Sequence, residues 1–288
     1  MKGQLAGCEV RQPASLPEAL DLLAQEPGAW TPFAGGTDLM VLHNAGRLKP
    51  RRFLDLSRLQ ELRGIQAEGE VLTFGALTTF TEVREHGAVV RGLPNLARSA
   101  QATGALAIQN RGTLGGNLVN ASPAADTPPS LLAYGAEVEL VSARGRRTVP
   151  YDAFHLGYKR MDLAPDELLL RIHIPVPQGD TFHHYRKVGT RQAQAISKTC
   201  LAACVRLDAG RVAEIRIGLG AVAPTPVRAR HAEAAIQGSP LDALPLARAR
   251  EALQRDLQPI DDLRASAHYR RVVTGNLLVR MLEQLGRR

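Results

Sequence analysis

The sequence predicts an α+β protein in which antiparallel strands and helices are grouped along the chain. Residues 137–142 alternate between apolar and polar side chains, and a turn at residues 144–145 leads into a second strand at 146–149. Further strands at 199–207 and 212–219 flank the turn sequence DAGR. Helical patterns then follow at residues 226–237, 243–256 and 262–285.

Residues 9–57 predict a small βαβ-like unit. Ser15 and Glu18 form an S-x-x-E capping pattern before an apolar helical stretch. A strand at 30–34, a helix at 38–44 and a strand at 52–56 complete the unit.

Two further regions follow this unit. The second contains a strand at 71–75, helices at 79–85, 93–102 and 131–134, the hairpin, and a strand at 168–174; the third opens with a strand at 181–188. We expect domains at residues 1–57, 58–178 and 179–288.

Composition restricts the class of protein. Hydrophobic residues make up 44% of the 288 residues, and no apolar run approaches the roughly 18 residues that a membrane span needs. The N-terminus lacks a signal-peptide pattern, so we expect a cytoplasmic protein. Three cysteines without a CxxC motif indicate neither a disulfide framework nor a self-contained iron–sulfur cluster. The net charge is +8, but aromatic residues are only 4% and the basic residues are scattered, which argues against nucleic-acid binding.

Residues 109–126, QNRGTLGGNLVNASPAAD, are typical of a loop that binds a phosphate carrying a polar sugar. Adjacent glycines at 115 and 116 let the backbone pass closely, and we expect their N–H groups to face a ligand. Hydroxyl and amide side chains surround them, and Asp126 follows. Taken alone, the stretch is equally consistent with a Gly-Gly turn and a polar loop.

A second glycine loop favours the ligand-binding interpretation. Residues 32–39, PFAGGTDL, stand between a predicted strand and a predicted helix. The expected donors are the N–H groups of Gly35, Gly36 and Thr37 and the Thr37 hydroxyl. The loop is neither GxGxxG nor a Walker sequence. Two such loops predict a diphosphate held from both sides.

At this spacing, AGGTDL and TLGGN resemble the two flavin motifs of the FAD-binding subunits of molybdenum hydroxylases. The resemblance runs from about residue 9 to residue 285, and it includes DELLLRIHIP, YRKVGTRQAQAISK and a tail reading PIDDLRASAHYRRVVTGNLL. It implies a two-part FAD-binding domain of the PCMH/vanillyl-alcohol-oxidase-like type, followed by a C-terminal three-stranded antiparallel sheet with a helix bundle.

The resemblance also implies the function. The family's FAD subunit binds FAD non-covalently and passes electrons to NAD+ or another acceptor. A large partner subunit holds molybdopterin, a small one holds [2Fe–2S] clusters, and the usual assembly is a dimer of heterotrimers. This chain has too few cysteines for the clusters and too few residues for a molybdenum domain.

The family's flavin contacts transfer by position to sixteen residues. The first loop should bind the diphosphate, Asn120 and Asp126 should bond to sugar hydroxyls, Leu169 should pack near the flavin or adenine, and Lys187 should lie near the flavin ring. The full set is Phe33, Ala34, Gly35, Gly36, Thr37, Asp38, Leu39, Gly104, Thr113, Gly115, Gly116, Asn117, Asn120, Asp126, Leu169 and Lys187.

Several alternatives remain open at this stage. Lys187 is also consistent with a surface lysine on a strand. We find no general acid, base or nucleophile set and expect no catalytic residue and no protein-bound metal, since adjacent His183 and His184 face opposite sides of a strand. Competing functions are a stand-alone flavin oxidase and a non-enzymatic partner protein that has lost flavin.

Overall fold

The computed structural model describes residues 7–191 and 194–288. Residues 1–6 of the first predicted domain lie outside the described residues. So do residues 192–193, which belong to the motif at 185–198.

The N-terminal unit has the predicted βαβ character. Its parallel sheet has the strand order β1-β3-β2. The Ser15 hydroxyl caps the first helix by accepting from the Glu18 N–H at 3.4 Å. The elements are β1 Glu9–Arg11, α1 Leu16–Gln25, β2 Thr31–Phe33, α2 Thr37–Asn44 and β3 Arg52–Asp55.

The central region is built on a five-stranded antiparallel sheet with helices packed on it. Its strands are β4 Ile65–Glu68, β5 Val71–Gly75, β6 Glu137–Ser142, β7 Gly145–Pro150 and β10 Leu168–Pro175, in the order β4-β5-β10-β6-β7. The other elements are α3 Phe80–Glu85, α4 Gly87–Gly92, α5 Pro94–Gln101, α6 Leu106–Gln109, α7 Leu114–Val119, α8 Pro128–Tyr134, α9 Tyr151–Phe154, β8 His155–Gly157 and β9 Arg160–Met161. The hairpin formed by β8 and β9 was not predicted.

The C-terminal region contains the three predicted strands and one more. They are β11 Thr181–Val188, β12 Thr199–Asp208, β13 Arg211–Gly220 and β14 Val227–Arg228, in sequential antiparallel order. The prediction of three strands is therefore wrong by one edge strand, which forms because Val227 pairs with Leu219. The same pairing delays the first helix beyond the predicted start at residue 226. The helices are α10 Arg230–Ile236, α11 Leu246–Leu253 and α12 Ala267–Leu285.

The last helix also begins later than predicted. Its pattern suggested a start at residue 262, but α12 begins at Ala267, because the Ser266 hydroxyl accepts from the Tyr269 N–H at 3.1 Å and caps it there. Among the described helices, none combines the length and hydrophobicity needed to cross a bilayer.

Three clusters of buried apolar side chains form the cores. One lies in the N-terminal unit and includes Trp30 and Leu54. A second lies under the five-stranded sheet, and a third lies between the C-terminal sheet and its helices. Each core anchors a different part of the candidate site.

Candidate cofactor site

The first glycine loop joins β2 to α2. Gly36 immediately precedes the helix and has a φ of 71°, in the left-handed region. Glycine adopts this conformation freely, whereas a residue with a Cβ is disfavoured there by about 1–2 kcal/mol. No side chain caps α2, so the first turn of the helix is left open.

Five consecutive backbone N–H groups in this loop have no acceptor within residues 7–191 and 194–288. They belong to Gly35, Gly36, Thr37, Asp38 and Leu39. The first N–H with a partner is that of Met40, which donates to the Gly36 carbonyl at 2.9 Å. Free N–H groups and the positive end of the helix dipole together favour an anion. The loop therefore has the donors that the diphosphate of FAD requires.

Gly35 is the point at which the two glycine loops touch. A Cβ at this position would lie 1.7 Å from the carbonyl oxygen of Arg111 and 3.1 Å from the nitrogen of Gly112. The Arg111 Nε also donates to the Gly35 carbonyl at 3.4 Å. Glycine is thus required here by the neighbouring backbone, which brings the first loop against the residues just before Thr113.

The second loop begins α7, and its N–H groups are used by the protein itself. The Thr113 hydroxyl accepts from the Gly116 N–H at 3.0 Å. The Gly115 N–H donates to the Ala76 carbonyl at 2.9 Å, and a Cβ on Gly115 would lie 2.6 Å from that oxygen. The prediction that these two N–H groups face a ligand is therefore wrong. The Gly115 N–H instead attaches the start of α7 to the residue that follows β5, and the Gly116 N–H is used in the N-terminal cap of α7.

A cleft of about 380 Å³ lies between the loops. Its lining includes Ala34 and Gly35 from the first loop, Thr113 from the second, and the arginines Arg63 and Arg111. The two guanidinium groups suit phosphate oxygens. Sequence reasoning missed both arginines. Arg111 could have been found from its place inside the QNRGTLGGN motif, whereas Arg63 belongs to no motif.

A buried ion pair forms the other part of the site. The Lys187 ammonium on β11 lies 2.7 Å from Asp126 Oδ2 and donates to the Ala102 carbonyl at 2.9 Å. The Ser197 hydroxyl donates to Asp126 Oδ1 at 2.8 Å. The Lys187 side chain is only 11% exposed, so the interpretation of Lys187 as a surface lysine is wrong.

The environment of Asp126 shifts the pKa of its carboxyl group. Burial raises the pKa of the Asp126 carboxyl, and the opposing attraction of Lys187 and the hydrogen bond from Ser197 only partly offset the effect. The carboxylate is well satisfied, since each oxygen accepts a hydrogen bond. Contact between Asp126 and a sugar hydroxyl stays a prediction.

Asn117 and Asn120, two of the three asparagines in the motif, both accept hydrogen bonds from neighbouring side chains. Asn117 Oδ1 accepts from the Thr127 hydroxyl at 2.6 Å. Asn120 accepts from the Lys159 ammonium twice, at 2.7 Å through Oδ1 and at 2.5 Å through its carbonyl. Lys159 lies on the β8–β9 hairpin, which is why sequence patterns did not connect it with the site.

Gly104, Leu169 and Phe33 lie at separate places in the fold. Gly104 has a φ of 60° and follows Ala102, the acceptor of Lys187, by two residues. Leu169 is buried in the core under the five-stranded sheet, and Phe33 packs edge-on against Phe53. Direct contact of these residues with a cofactor stays a prediction.

Comparisons with known proteins match nearly the whole chain. Residues 6–177 match the family model for the FAD-binding domain in molybdopterin dehydrogenase. Residues 183–285 match the model for the CO dehydrogenase flavoprotein C-terminal domain. The chain is 38% identical over 259 residues to the xanthine dehydrogenase FAD-binding subunit of Escherichia coli O157:H7, covering 89% of this chain and 88% of the relative. It is 31% identical over 274 residues to the carbon monoxide dehydrogenase medium chain of Hydrogenophaga pseudoflava, covering 95% of each.

Solved structures agree with these matches. A chain of carbon monoxide dehydrogenase from Hydrogenophaga pseudoflava superposes with a TM-score of 0.91 at 32% identity, covering 96% of both chains. A chain of quinoline 2-oxidoreductase from Pseudomonas putida 86 gives 0.89 at 28% identity, covering 97% of both. The α+β fold and the FAD-binding character predicted from the sequence are thereby confirmed. The chain belongs to the FAD-binding subunits of the molybdenum hydroxylases, a family of oxidoreductase subunits.

Proposed function

We propose that this chain is the electron-transfer subunit of a molybdenum hydroxylase, in which it carries non-covalent FAD between the [2Fe–2S] clusters of a small subunit and NAD+ or another acceptor. The observation that carries the proposal is the run of five N–H groups from Gly35 to Leu39 that have no acceptor among the described residues. The relatives of this chain are named as medium or FAD-binding subunits. When bound, FAD supplies the redox chemistry.

Different residues of the chain bind different parts of the cofactor. The first loop, from Phe33 to Leu39, binds the diphosphate through its N–H groups, and Arg111 adds positive charge beside Gly35. Thr113 is held as the cap of α7. Its hydroxyl hydrogen has no acceptor in the described part of the chain, so it can donate to the cofactor.

The second part of the site binds the remainder of the cofactor. Asn117 holds the diphosphate from the side opposite the first loop, and Asn120 and Asp126 bond to ribityl or adenosine hydroxyls. Gly104 is a further cofactor contact, and Lys187 places a cation near the flavin ring. Gly115 and Gly116 act indirectly, because the Gly115 N–H fixes the start of α7 on the central sheet and the Gly116 N–H holds the Thr113 cap in place. Leu169 supports this region from the core.

The proposed partners follow from what this chain carries. Three cysteines are too few for two [2Fe–2S] clusters, so a small subunit holds the clusters and a large subunit holds molybdopterin. We further propose a dimer of heterotrimers in the cytoplasm and domain boundaries at residues 57/58 and 178/179. No catalytic residue is assigned to this chain, because substrate hydroxylation belongs to the large subunit.

The first test concerns the output of electrons. The purified chain is loaded with FAD, photoreduced without oxygen, and mixed with NAD+, a quinone or oxygen. We expect a yellow protein that releases FAD on denaturation and oxidises rapidly with one of these acceptors, with NADH formation if NAD+ is the physiological one. A chain that reacts with none of them would overturn the electron-transfer proposal.

The second test concerns the input of electrons. A tagged chain is isolated together with its associated subunits, and flavin bleaching is followed after addition of xanthine, carbon monoxide or an aldehyde. We expect reduction only in the complex that contains the iron–sulfur and molybdenum subunits. Direct reduction of the isolated chain by one of these substrates would instead indicate a stand-alone oxidase. A colourless chain that refuses added FAD would indicate a partner protein without flavin.

A further inference from the structure

A continuous hydrogen-bonded cluster connects β11 with the segment before β12. It consists of Ser197, Asp126, Lys187 and the carbonyl of Ala102, and we call it the Lys187 cluster. The three contacts measure 2.8 Å, 2.7 Å and 2.9 Å in that order. Ser197 is fully buried, and the side chains of Asp126 and Lys187 are 9% and 11% exposed. Such burial is tolerated because the charges are paired and hydrogen-bonded.

The donor count of Lys187 points toward a ligand. An ammonium group has three N–H donors. Asp126 and Ala102 accept two of them, and the third has no acceptor within the described residues. The direction of that third donor is set by the two bonds already made. Asp126 therefore orients the Lys187 ammonium, and Lys187 is the residue that would contact a bound cofactor.

Asp126 is in turn oriented from its other oxygen. The Ser197 hydroxyl is the donor to Oδ1, while Lys187 occupies Oδ2. Without the hydroxyl, Oδ1 would be a buried charged oxygen that has lost its hydrogen bond, and such a loss is strongly unfavourable. The carboxylate would then rotate or take up a proton, and either change would release Lys187.

The other titratable groups around Asp126 are neutral. The Tyr185 hydroxyl donates to the Asp126 carbonyl at 3.4 Å. Burial raises the pKa of Tyr185 well above its ordinary value and raises the pKa of the Cys200 thiol to about 12. Charge within the cluster therefore resides on Asp126 and Lys187 alone among the described residues.

We propose that Ser197 is a positioning residue for Lys187, since it holds the Asp126 carboxylate that orients the ammonium toward the flavin. This rests on the proposed placement of Lys187 near the flavin ring. It assigns Asp126 a role through Lys187, in place of a role restricted to sugar hydroxyls. It also gives a function to Ser197, which lies in the motif at residues 185–198 but had no predicted role.

A double-mutant cycle on FAD affinity tests the proposal. Apo-protein is titrated with FAD for the wild-type chain, Ser197→Ala, Lys187→Met and the double variant. We expect Ser197→Ala to weaken FAD binding about tenfold, the effect of losing one hydrogen bond to a charged group. In the Lys187→Met background the same substitution should have no further effect, because there is no ammonium left to orient.

Two variants separate positioning from folding. Ser197→Thr retains the hydroxyl and should restore wild-type affinity. Ser130→Ala is the matched control, because Ser130 is also fully buried but donates to the Asn95 carbonyl, away from the cluster. An equal loss of affinity from Ser197→Ala with and without Lys187 would overturn the proposal, as would no loss at all.

The pH dependence of the flavin reduction potential provides a second readout, which a purely structural role would not move. Loss of the Ser197 hydroxyl raises the pKa of Asp126 further, since that hydrogen bond favours the charged carboxylate. When Asp126 takes up a proton, the positive charge of Lys187 is no longer compensated and the flavin reduction potential rises. The pH at which this rise occurs should therefore be higher in Ser197→Ala than in the wild-type chain. An unchanged profile would contradict the proposal.

These measurements use the isolated chain and need neither acceptor nor partner subunits. If the effects of Ser197→Ala and Lys187→Met on FAD affinity are non-additive but the reduced protein reacts with no acceptor, the proposed function fails and the positioning role of Ser197 stands. If electrons reach an acceptor but the effects of the two substitutions simply add, the positioning role fails alone. A wild-type chain that does not bind FAD would contradict both.

Discussion

At the residue scale, three glycines of the two loops each serve a physical purpose. Gly36 supplies a left-handed backbone conformation, with φ of 71°. Gly35 leaves room for the carbonyl of Arg111, and Gly115 leaves room for the carbonyl of Ala76. Only the first purpose is local to the chain. The other two depend on segments that folding brings alongside.

Substituting Gly35 by alanine should separate the loops. The new Cβ would lie 1.7 Å from a backbone oxygen, a clash that no side-chain rotation can relieve. We expect FAD affinity to fall at least about tenfold, because a shift of the loop misplaces the N–H donors. Gly157→Ala is the control, since a Cβ there meets nothing within 4 Å. Titration of both apo-proteins with FAD measures the difference, and equal affinities would contradict this account of Gly35.

Arg111 should contribute charge to the diphosphate site. Arg111→Met retains a long apolar stem but removes the guanidinium, so we expect about tenfold weaker FAD binding and a weaker dependence of affinity on ionic strength. Arg58→Met alters an exposed arginine outside the cleft and should leave both quantities unchanged. Equal behaviour of the two variants would exclude a role for Arg111 in binding phosphate.

At the element scale, Arg270 ties α12 to the C-terminal sheet. Its side chain is 4% exposed and donates to the carbonyls of Lys198 and Ala221 at 2.6 Å and 2.7 Å. It also pairs with Asp262 at 2.7 Å. Lys198, one of the residues that Arg270 contacts, stands between Ser197 and Thr199 in the chain. The position of α12 is therefore coupled to the backbone that carries the Lys187 cluster.

Asp262 makes the stability of this element dependent on pH. Burial alone would raise the pKa of Asp262, but the N–H groups of Arg264 and Ala265 and the Arg270 guanidinium lower it from 3.8 to about 2. A depressed pKa contributes stability that is present above pH 3.8 and is lost as the pH falls toward about 2.

Urea unfolding of apo-protein across this pH range should therefore be less pH-dependent in Asp262→Asn than in the wild-type chain. Asp242→Asn changes an exposed carboxylate and serves as the control. An identical pH dependence in wild type and Asp262→Asn would rule out a contribution of the Asp262–Arg270 ion pair to stability.

At the scale of the whole molecule, the candidate site draws on all three cores. The first loop is attached to the N-terminal core through Ala34, the second loop to the central core through Leu114, and Lys187 precedes Val188, which packs on the C-terminal core. A ligand that contacts all of these residues would connect three packed regions. Its binding energy therefore adds to the stability of the assembled fold.

Added FAD should raise the thermal stability of the whole chain. A ligand that binds only the folded state stabilises it by about 2.7 kcal/mol at roughly 100 times its dissociation constant. We expect one calorimetric transition that moves to higher temperature with FAD in the wild type and moves much less in Gly35→Ala. If FAD raises the transition temperature of both proteins equally, the contact between the two loops does not govern FAD binding.

The sequence alone predicted most elements because their signals are local. Alternation of side chains located the strand from Glu137 to Ser142, and the strand predicted at residues 168–174 is observed as Leu168–Pro175. Errors occurred where a distant partner decides the structure. Residues 226–229 have a helical pattern, yet Val227 pairs with Leu219 and extends the sheet.

The sequence by itself determined the α+β class, the location of both glycine loops and the family to which the chain belongs, since these depend on short patterns of neighbouring residues. Only the tertiary structure decided how the loops are used. It engaged the Gly115 N–H with the Ala76 carbonyl, brought Arg111 to Gly35 from 76 residues away, and paired Asp126 with Lys187 across 61 residues. Hydrogen bonds and steric exclusion act between atoms that are close in space, and that proximity exists only once the chain has folded.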